Sequence, residues 1–380
     1  MATGQRYSYT DAGNNARGIA DAVYMIDWTE APLLNIFGFS EKNVSKFDLI
    51  NWPSTKVEWI EDTMSPYTTT IAEALDDSET GVDVASDTGA YFRQGDIVSV
   101  DSEYMLVTSV ATDTLTVTRG YGSTTAASHS TSATITLLTR AMPEGSDAVP
   151  GHTTTTTQPY NYSQIISEAA KASKTSIAIK KYGVAQELDY QVGKLFADGG
   201  KAGKLAQFLQ RTFYYGKRVQ RSASAYGGMG GFGSFVTTNV TNLASASLQK
   251  SDIHTKIRQI RDAGGMCSHL ITGSWGIEKI TGMYEGLIRM TSDEDRGGSE
   301  IRKVLTPHGE TEVVYDWMCP AGYMYFVNTE KIGWLPVRNF AAGKIAEQGD
   351  YFLTDVVGEY TLALANEESH GLIYGFSTSS

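Results

Sequence analysis

The sequence predicts an α+β fold that carries a small all-β module. Residues 76–140 contain short stretches in which Leu115 and Val117 alternate with threonines, the pattern of half-buried strands. Residues 236–340 instead alternate between helical and strand patterns. Because 41% of the 380 residues are hydrophobic and 19% are charged, the chain has enough apolar material for a packed core.

The first 75 residues predict arm-like, extended structure. Residues 1–48 contain the apolar cluster PLLNIFGF, a short helix or turn between Pro32 and Gly38. In residues 49–75, KVEWIED places β-formers between charges. A charged strand with solvent on both faces is unusual in a monomer, so we expect it to lie along another subunit.

Turn signals divide the predicted β-module into strands. They fall at Gly95-Asp96, Asp101-Ser102, Asp113 and Gly120-Tyr121-Gly122. The module is therefore predicted to be inserted into the extended segment.

Helical spacing follows over residues 183–222, where apolar residues recur in two blocks. The stretch ADGGKAGK between them predicts a break, so the helix is expected in two pieces. A further helix is predicted over SDIHTKIRQIRDAG, with Ser251 as its cap. Strands are expected over EVVYDWM, YMYFVNTEKIGWLPV and residues 344–376.

Charge is polarised along the chain, whose net charge is −12. Residues 41–103 contain 14 acidic and 4 basic residues, whereas residues 171–221 contain 11 basic and 3 acidic residues. Blocks of opposite sign suit head-to-tail contact between copies, or they face each other or solvent within one fold. The whole chain lacks the basic footprint of a protein that seeks DNA.

The cellular context is predicted from absences in the sequence. Cys267 and Cys319 are the two cysteines, too few for a disulfide framework, which favours a reducing cytoplasm and leaves one bridge open. We expect neither a secretory signal nor a transmembrane helix, because MATGQRYSYT lacks the former pattern and no apolar run reaches 18 residues.

The stretch AYGGMGGFGSF fits the dinucleotide pattern G-x-G-x-x-G at Gly228, Gly230 and Gly233, with Asp252 further on. A true fingerprint follows a strand and opens a helix. Here the glycines follow a helix and precede β-branched FVTTNVTN. The pattern therefore indicates a flexible turn in which glycines permit φ > 0.

Other chemical motifs also fail. GGKAGKL lacks the phosphate-loop spacing, no histidines form H-E-x-x-H, and no G-x-S-x-G elbow is present. We therefore predict no catalytic site, no cofactor and no metal.

Several segments in order resemble the major head (major capsid) protein family of tailed bacteriophages, in its branch with the Hong Kong 97 fold and an inserted β-module. They include APLLNIFG, KVEWIEDT, YMLVTSVATDTLTVTRGYGSTTAASH, NYSQIISEAAKASKTSIAI and VVGEYTLALANEESHGLIYGF. The resemblance covers most of the chain and is strongest at VTRGYGSTTAASH and GEYTLALANEESHG.

The resemblance implies a Hong Kong 97-type division of the chain. The implied parts are an N-terminal arm at 1–48, an extended loop at 49–75 and 141–162, the inserted β domain at 76–140, a peripheral domain with a two-piece spine helix and glycine hinge at 163–235, an axial domain at 236–340, and C-terminal strands of the peripheral domain at 341–380. The family has no catalytic site to transfer, and nothing in the chain identifies a Lys–Asn cross-link.

The implied function is self-assembly into hexamers and pentamers of an icosahedral shell around double-stranded DNA. The implied partners are copies of the chain, a portal protein, a separate scaffolding or decoration protein, and packaged DNA by non-specific contact, with no membrane. The implied location is the virion capsid, made in the host bacterial cytoplasm.

Charge indicates which residues form the assembly interface. On the extended loop the predicted interface residues are the acidic Glu58, Glu61 and Asp62 together with Trp59, and the basic side is Lys194, Lys201, Lys204, Arg211, Lys217 and Arg218. A rival interpretation places the basic helix against DNA. The hinge is predicted at Gly227, Gly228, Gly230, Gly231 and Gly233.

Two other functions stay open on the sequence. One is a different virion protein, such as a decoration, tail or adhesin subunit, which suits the Thr-rich β-module. The other is a nucleotide-dependent enzyme, which rests on GGMGGFG alone.

Overall fold

The chain forms two compact units in a computed structural model. It describes residues 31–37, 54–64, 66–145, 156–181, 184, 186–195, 203–284, 303–344 and 349–378. The larger unit comprises residues 1–59 and 158–380, and the smaller unit comprises residues 60–157. Both helices and sheets are present, which confirms the predicted α+β class.

The strands are β1 Lys56–Glu58, β2 Thr68–Thr70, β3 Gly81–Asp83, β4 Asp96–Val100, β5 Glu103–Ala111, β6 Thr114–Thr118, β7 Thr134–Arg140, β8 Tyr160–Tyr162, β9 Gln164–Ser173, β10 Val240–Asn242, β11 His269–Thr272, β12 Lys303–Thr306, β13 Gly309–Tyr315, β14 Tyr323–Val327, β15 Ile332–Lys344, β16 Tyr351–Leu364 and β17 Gly371–Tyr374. The α-helices are α1 Pro32–Ile36, α2 Lys174–Ala178, α3 Glu187–Leu195, α4 Lys204–Tyr215, α5 Lys250–Asp262 and α6 Ser274–Tyr284.

The smaller unit is a closed β-barrel. Its six strands follow the order β2-β7-β4-β5-β6-β3. Ile71 then bridges Val84, and the Ala85 amide donates to the Thr70 carbonyl at 2.9 Å, which joins the two outer strands. Among the described strands of this unit, closure leaves no long free edge to pair with another chain.

The barrel interior follows the predicted alternation. Leu115 and Val117 of β6 are buried, whereas the threonines between them are exposed. Gly95, Asp101, Gly120 and others adopt positive φ, as the turn signals require. The unit is wider than the 76–140 segment predicted for the insert, since β2 pairs with β7 and lies within it.

Among its described residues, the larger unit contains three sheets. β1 pairs with β8 in the first, the second has the order β15-β16-β9, and the third has the order β10-β17-β14-β11-β13-β12. Helix α4 buries one face, including Leu205, Leu209 and Phe213, in the core that also holds Ile271 and Trp334. Helix α5 buries Ile253, Ile257 and Ile260 in a second cluster with β14 and β17.

Three boundaries differ from the sequence prediction. Helical structure ends at Tyr215 rather than residue 222, because Gly216 leaves the helical region with ψ 135°. Strand β17 joins the six-stranded sheet beside β14 and β10 rather than the sheet of β15 and β16. The cap of α5 is Gln249, not Ser251, because the Gln249 and Asp252 side chains form a reciprocal capping box.

Cys267 and Cys319 are both free and buried, which settles the open question of a bridge between them. Burial raises the pKa of Cys267 to about 12 and also raises that of Cys319, so both thiols stay protonated. Within the described ranges, every helix is too short or too polar to cross a lipid bilayer.

Candidate functional site

The base of the predicted extended loop is a two-stranded ribbon. β1 pairs antiparallel with β8, with Glu58 opposite Tyr160. Val57 and Trp59 point into the core, and the Trp59 ring lies 5.8 Å from that of Phe235. Because Val57 and Trp59 are buried, this strand does not have solvent on both faces, and the Trp59 side chain packs in the core of its own chain. The expected contact of the strand with another subunit stays a prediction.

The acidic candidates lie on either side of the boundary between the two units. Glu58, in the larger unit, forms an ion pair with Lys56. Glu61, in the smaller unit, exchanges two backbone hydrogen bonds with Thr157, at 2.9 and 2.8 Å. Asp62 follows it and is exposed.

Three large apolar side chains follow closely on the same segment. Ile60 is 70% exposed, Met64 is 80% exposed and Tyr67 is 60% exposed. Single exposed apolar residues are ordinary, but three within eight residues form a feature that a contact with another chain would cover.

The basic candidates divide into engaged and exposed side chains. Lys204 forms an ion pair with Glu168 at 2.8 Å, and the Lys194 ammonium lies 4.2 Å from the centre of the Tyr190 ring. Arg211 and Lys217 are exposed on and just after α4. Lys201 lies outside the described residues.

Arg218 packs within its own chain. Its guanidinium carbon lies 4.7 Å from the centre of the Tyr160 ring and 4.8 Å from that of Phe235. Its Nη2 donates to the Ser234 carbonyl at 3.2 Å. Stacking on two rings makes Arg218 a packing residue, so it is a weaker interface candidate than the exposed Lys217.

The glycine run is closely packed. None of its five glycines adopts a positive φ, so the predicted need for φ > 0 is wrong. A Cβ on Gly231 would lie 2.6 Å from the Phe213 carbonyl oxygen, and one on Gly228 would lie 2.9 Å from that of Lys217. Gly233 alone among the five has open space at this position. The other four glycines permit close approach of neighbouring atoms, and these contacts favour a fixed junction.

Asn161 fastens this junction. Its amide Nδ2 donates to the carbonyls of Gly230 at 3.1 Å and Leu362 at 2.7 Å. Its Oδ1 accepts from the amides of Gly230 at 2.8 Å and Tyr162 at 2.9 Å. One fully buried side chain thus joins β8, the glycine run and β16 with every hydrogen-bonding position filled.

Glu359 on β16 is a second fixing point. Its carboxylate accepts from Ser163 at 2.7 Å and from Arg221 at 2.8 Å, and Arg338 lies 3.5 Å away. Burial alone would raise the pKa of Glu359, but the hydrogen bonds from Ser163 and Arg221 and the charge of Arg338 lower it. The ionised carboxylate holds the loop after α4 against the sheet.

The motif VTRGYGSTTAASH surrounds Glu103 in the barrel. Arg119 donates Nε and Nη2 to the two carboxylate oxygens at 2.7 and 2.8 Å. The amides of Gly120 and Ala127 donate at 3.1 and 3.0 Å, and His129 Nε2 lies 3.0 Å from Oε2. Burial opposes ionisation, but these donors outweigh it and lower the pKa of Glu103 to about 2.

The motif NEESHG fixes the connection between β16 and β17 in the larger unit. Asn366 adopts a left-handed conformation, and Glu367 accepts from the amides of Thr237 at 2.6 Å and Thr238 at 2.7 Å. His370 is fully buried, and its Nδ1 accepts from the Asn328 amide at 3.3 Å. Burial lowers the pKa of His370 to about 4, so the ring is neutral near pH 7.

These four fixing points, at Asn161, at Glu359, at Glu103 and at Glu367 with His370, were not identified as sites from the sequence. The strongest motifs pointed to two of them, because Arg119 and His129 flank one and Glu367 and His370 belong to another. The carboxylates of Glu103, Glu359 and Glu367 accept hydrogen bonds from the chain's own donors. In the part of the chain that the structure describes, no three His, Cys, Asp or Glu residues could hold a metal together. The arrangement fixes segments in place.

Known structures share the fold of this chain. The capsid asymmetric unit of cyanophage A-1(L) is 10% identical, with 98% of this chain and 100% of that chain covered and a TM-score of 0.56. The capsid of a native GTA particle is 9% identical, with 98% and 99% covered and a TM-score of 0.51. Microbacterium phage Oxtober96 is 10% identical, with 97% and 98% covered and a TM-score of 0.50.

Proteins with curated descriptions include no match to this chain. The family profile described as SU10 major capsid protein matches residues 3–377. That match spans nearly the whole sequence, both units included, and it agrees with the capsid folds above and with the resemblance at the two motifs. The chain belongs to the SU10 major capsid protein family and forms a capsid shell.

Proposed function

We propose that this chain assembles through hexamers and pentamers into the icosahedral shell of a tailed bacteriophage, around double-stranded DNA that it contacts without sequence preference. A portal protein and a separate scaffolding or decoration protein complete the particle, which is assembled in the host bacterial cytoplasm. The observation that carries this proposal is the segment with exposed Ile60, Met64 and Tyr67, which a single copy leaves uncovered.

The same segment supplies the acidic side of the contact. Glu61 and Asp62 lie among the exposed apolar residues, and the basic block supplies the exposed Arg211 and Lys217 as predicted partners. We infer that the segment of one copy lies against the end of α4 of a neighbour. One exposed contact of this kind contributes little stability, but a closed shell is stabilised by the large number of such contacts.

A charge exchange tests this contact. The double variant Glu61→Lys with Asp62→Lys is expected to lower the yield of assembled particles, because like charges then face each other. Adding Arg211→Glu and Lys217→Glu is expected to restore assembly, since opposite charges meet again. The measurement is the sedimented fraction of particles across a salt series.

The matched control reverses Asp77 and Glu144, two exposed acids of the barrel, and leaves the segment intact. Assembly and salt dependence unchanged by the Glu61 and Asp62 reversal would exclude this interface. Failure of the four-residue exchange to restore assembly would show that Arg211 and Lys217 are not its partners.

The rival arrangement directs the basic helix toward packaged DNA. In that case Arg211→Glu with Lys217→Glu would leave empty particles unchanged in yield and would weaken DNA retention. Measuring empty-particle yield and packaged DNA in the same preparation separates the two arrangements.

A further inference from the structure

A short hairpin after α4 carries an aromatic side chain that its own chain leaves uncovered. Tyr226 is 98% exposed, the highest value for a large apolar side chain among the described residues. In this hairpin, Val219 and Gly228 exchange two backbone hydrogen bonds, at 3.0 and 3.1 Å. The ion pair of Arg221 with Glu359 fastens the hairpin to β16. Because the backbone around it is fixed, Tyr226 is a preorganised anchor for a contact.

The smaller unit contains a groove that fits such a side chain. Its volume is about 400 Å³, and roughly 150 Å³ of cavity accepts benzene, so a phenol ring has room in it. Phe92 is buried and Val110 is half-buried, whereas Asp87 is exposed, so the groove has an apolar floor and a carboxylate at its rim. Tyrosine suits this lining, because its ring is apolar and its hydroxyl donates a hydrogen bond.

The walls of the groove are held in place by the chain itself. The Asp113 carboxylate accepts from the amides of Asp87 at 3.1 Å and Gly89 at 3.0 Å. A Cβ on Gly89 would collide with the carbonyl oxygen of Thr112, so the two walls touch at this point. The groove is therefore formed before a partner binds, which limits the ordering that binding costs.

The groove adjoins the exposed segment 60–67 of the smaller unit. The Thr69 hydroxyl, two residues beyond that segment, donates to the hydroxyl of Thr88 at 3.0 Å. Thr88 stands in the chain between the groove residues Asp87 and Gly89. On the larger unit, the hairpin of Tyr226 directly follows the end of α4. An arrangement that sets segment 60–67 against the α4 end of a neighbour thus brings the groove beside that hairpin.

We propose that Tyr226 of one copy enters the groove of a neighbouring copy, with its ring against Phe92 and its hydroxyl donating to Asp87. Charge favours the same contact. The side chains that line the groove include two aspartates and no lysine or arginine, whereas residues 216–228 contain three basic residues and no acidic one. The inference rests on the proposed function, of which it names the aromatic anchor between copies.

Disulfide trapping tests the contact. Ala90 lines the groove and is exposed, so Tyr226→Cys with Ala90→Cys presents one thiol on each side. The native Cys267 and Cys319 are buried and do not compete. Oxidation of assembled particles with a copper–phenanthroline catalyst is expected to give a ladder of covalent oligomers on a non-reducing gel.

The matched control is Tyr226→Cys with Ala127→Cys. Ala127 is also exposed, and its amide donates to Glu103 at the start of β5, whereas the groove is formed at the end of β5 and the turn that follows. The two ends of this nine-residue strand are about 26 Å apart. The control pair is therefore expected to stay monomeric.

Tyr226→Ala covers failure of the cysteine pair to assemble. Because the side chain is almost fully exposed in one copy, its removal is expected to leave the melting temperature of the unassembled chain unchanged. The yield of particles is expected to fall at least about tenfold, whereas Tyr226→Phe keeps the ring and is expected to retain most of the yield. Ala90→Trp fills the groove and is expected to lower the yield in the same way.

The outcomes separate this contact from the proposed function. Intact particles without a ladder, a cross-link confined to single chains, or full assembly of Tyr226→Ala would overturn the proposal. Failure of the unaltered chain to form particles would count against the proposed function instead.

Discussion

Arg119 and Glu103 form a two-point ion pair inside the β-barrel, with Nε–Oε1 at 2.7 Å and Nη2–Oε2 at 2.8 Å. The Glu103 side chain is fully buried and that of Arg119 is 7% exposed. Arg119 also donates to the carbonyls of Asp76, Glu79 and Ala127, so one guanidinium joins four segments of the barrel. The motif VTRGYGSTTAASH thus supplies the residues that hold the buried Glu103 carboxylate.

Glu103→Gln is expected to lower the free energy of unfolding of the barrel by about 3 kcal/mol, because it leaves the Arg119 charge buried without its partner. Denaturant unfolding of the unassembled chain measures this loss. Glu144→Gln, an exposed acid of the same unit, is the control and is expected to change nothing. Equal effects of the two substitutions would contradict a structural role for the ion pair.

Protonation of the buried His370 ring is expected to destabilise the folded protein in mild acid. Its folded-state pKa of about 4 lies below the ordinary value of 6.5, so the folded protein favours the neutral ring. The neutral His370 ring contributes its full stabilisation of the folded state above pH 6.5. This contribution, roughly 3 kcal/mol, is lost as the pH falls to about 4.

The test is the melting temperature of the unassembled chain between pH 7 and pH 4. His370→Gln is expected to flatten the dependence in that window, while His308→Gln, at the hairpin turn, is expected to leave it unchanged. A wild-type curve with the same slope as His370→Gln would contradict the account.

The glycine junction predicts a sharp contrast between two positions. Gly231→Ala places a Cβ against the carbonyl oxygens of Thr212 and Phe213, so it is expected to cost about 1–3 kcal/mol. Gly233→Ala meets nothing within 4 Å and is expected to be neutral in stability. Melting temperatures of the two variants test this directly.

The predicted hinge gives a different result. A hinge requires Gly231→Ala to fold normally and to reduce the yield of closed shells, since only adjustment between positions would be lost. Normal stability of Gly231→Ala would therefore count against the packed junction and favour the hinge.

Local patterns in the sequence predicted much of the fold. The alternation at Leu115 and Val117 predicted the barrel strands, and the spacing around Phe213 predicted the second half of the helix. The closure of the barrel through Ile71 and Val84 was not predictable, because an isolated bridge leaves no periodic signal. The helix end was also missed, since residues 216–222 continue a helix-compatible composition beyond Gly216.

The charge pattern of the sequence predicted the candidate interface residues, but it did not predict which of them pack within their own chain. Trp59 stands beside charged residues in the sequence, yet the opposite strand β8 turns it into the core. Arg218 likewise follows an exposed lysine, yet two rings flank it. Which basic side chains stay exposed depends on contacts between residues far apart in the chain, and a single sequence does not contain them.

Electron microscopy of the purified full-length chain tests the central claim most directly. The account predicts closed shells, or hexameric and pentameric capsomers that close into shells. Fibres or tubes would favour another virion component. A discrete small oligomer that never forms a shell would contradict the account.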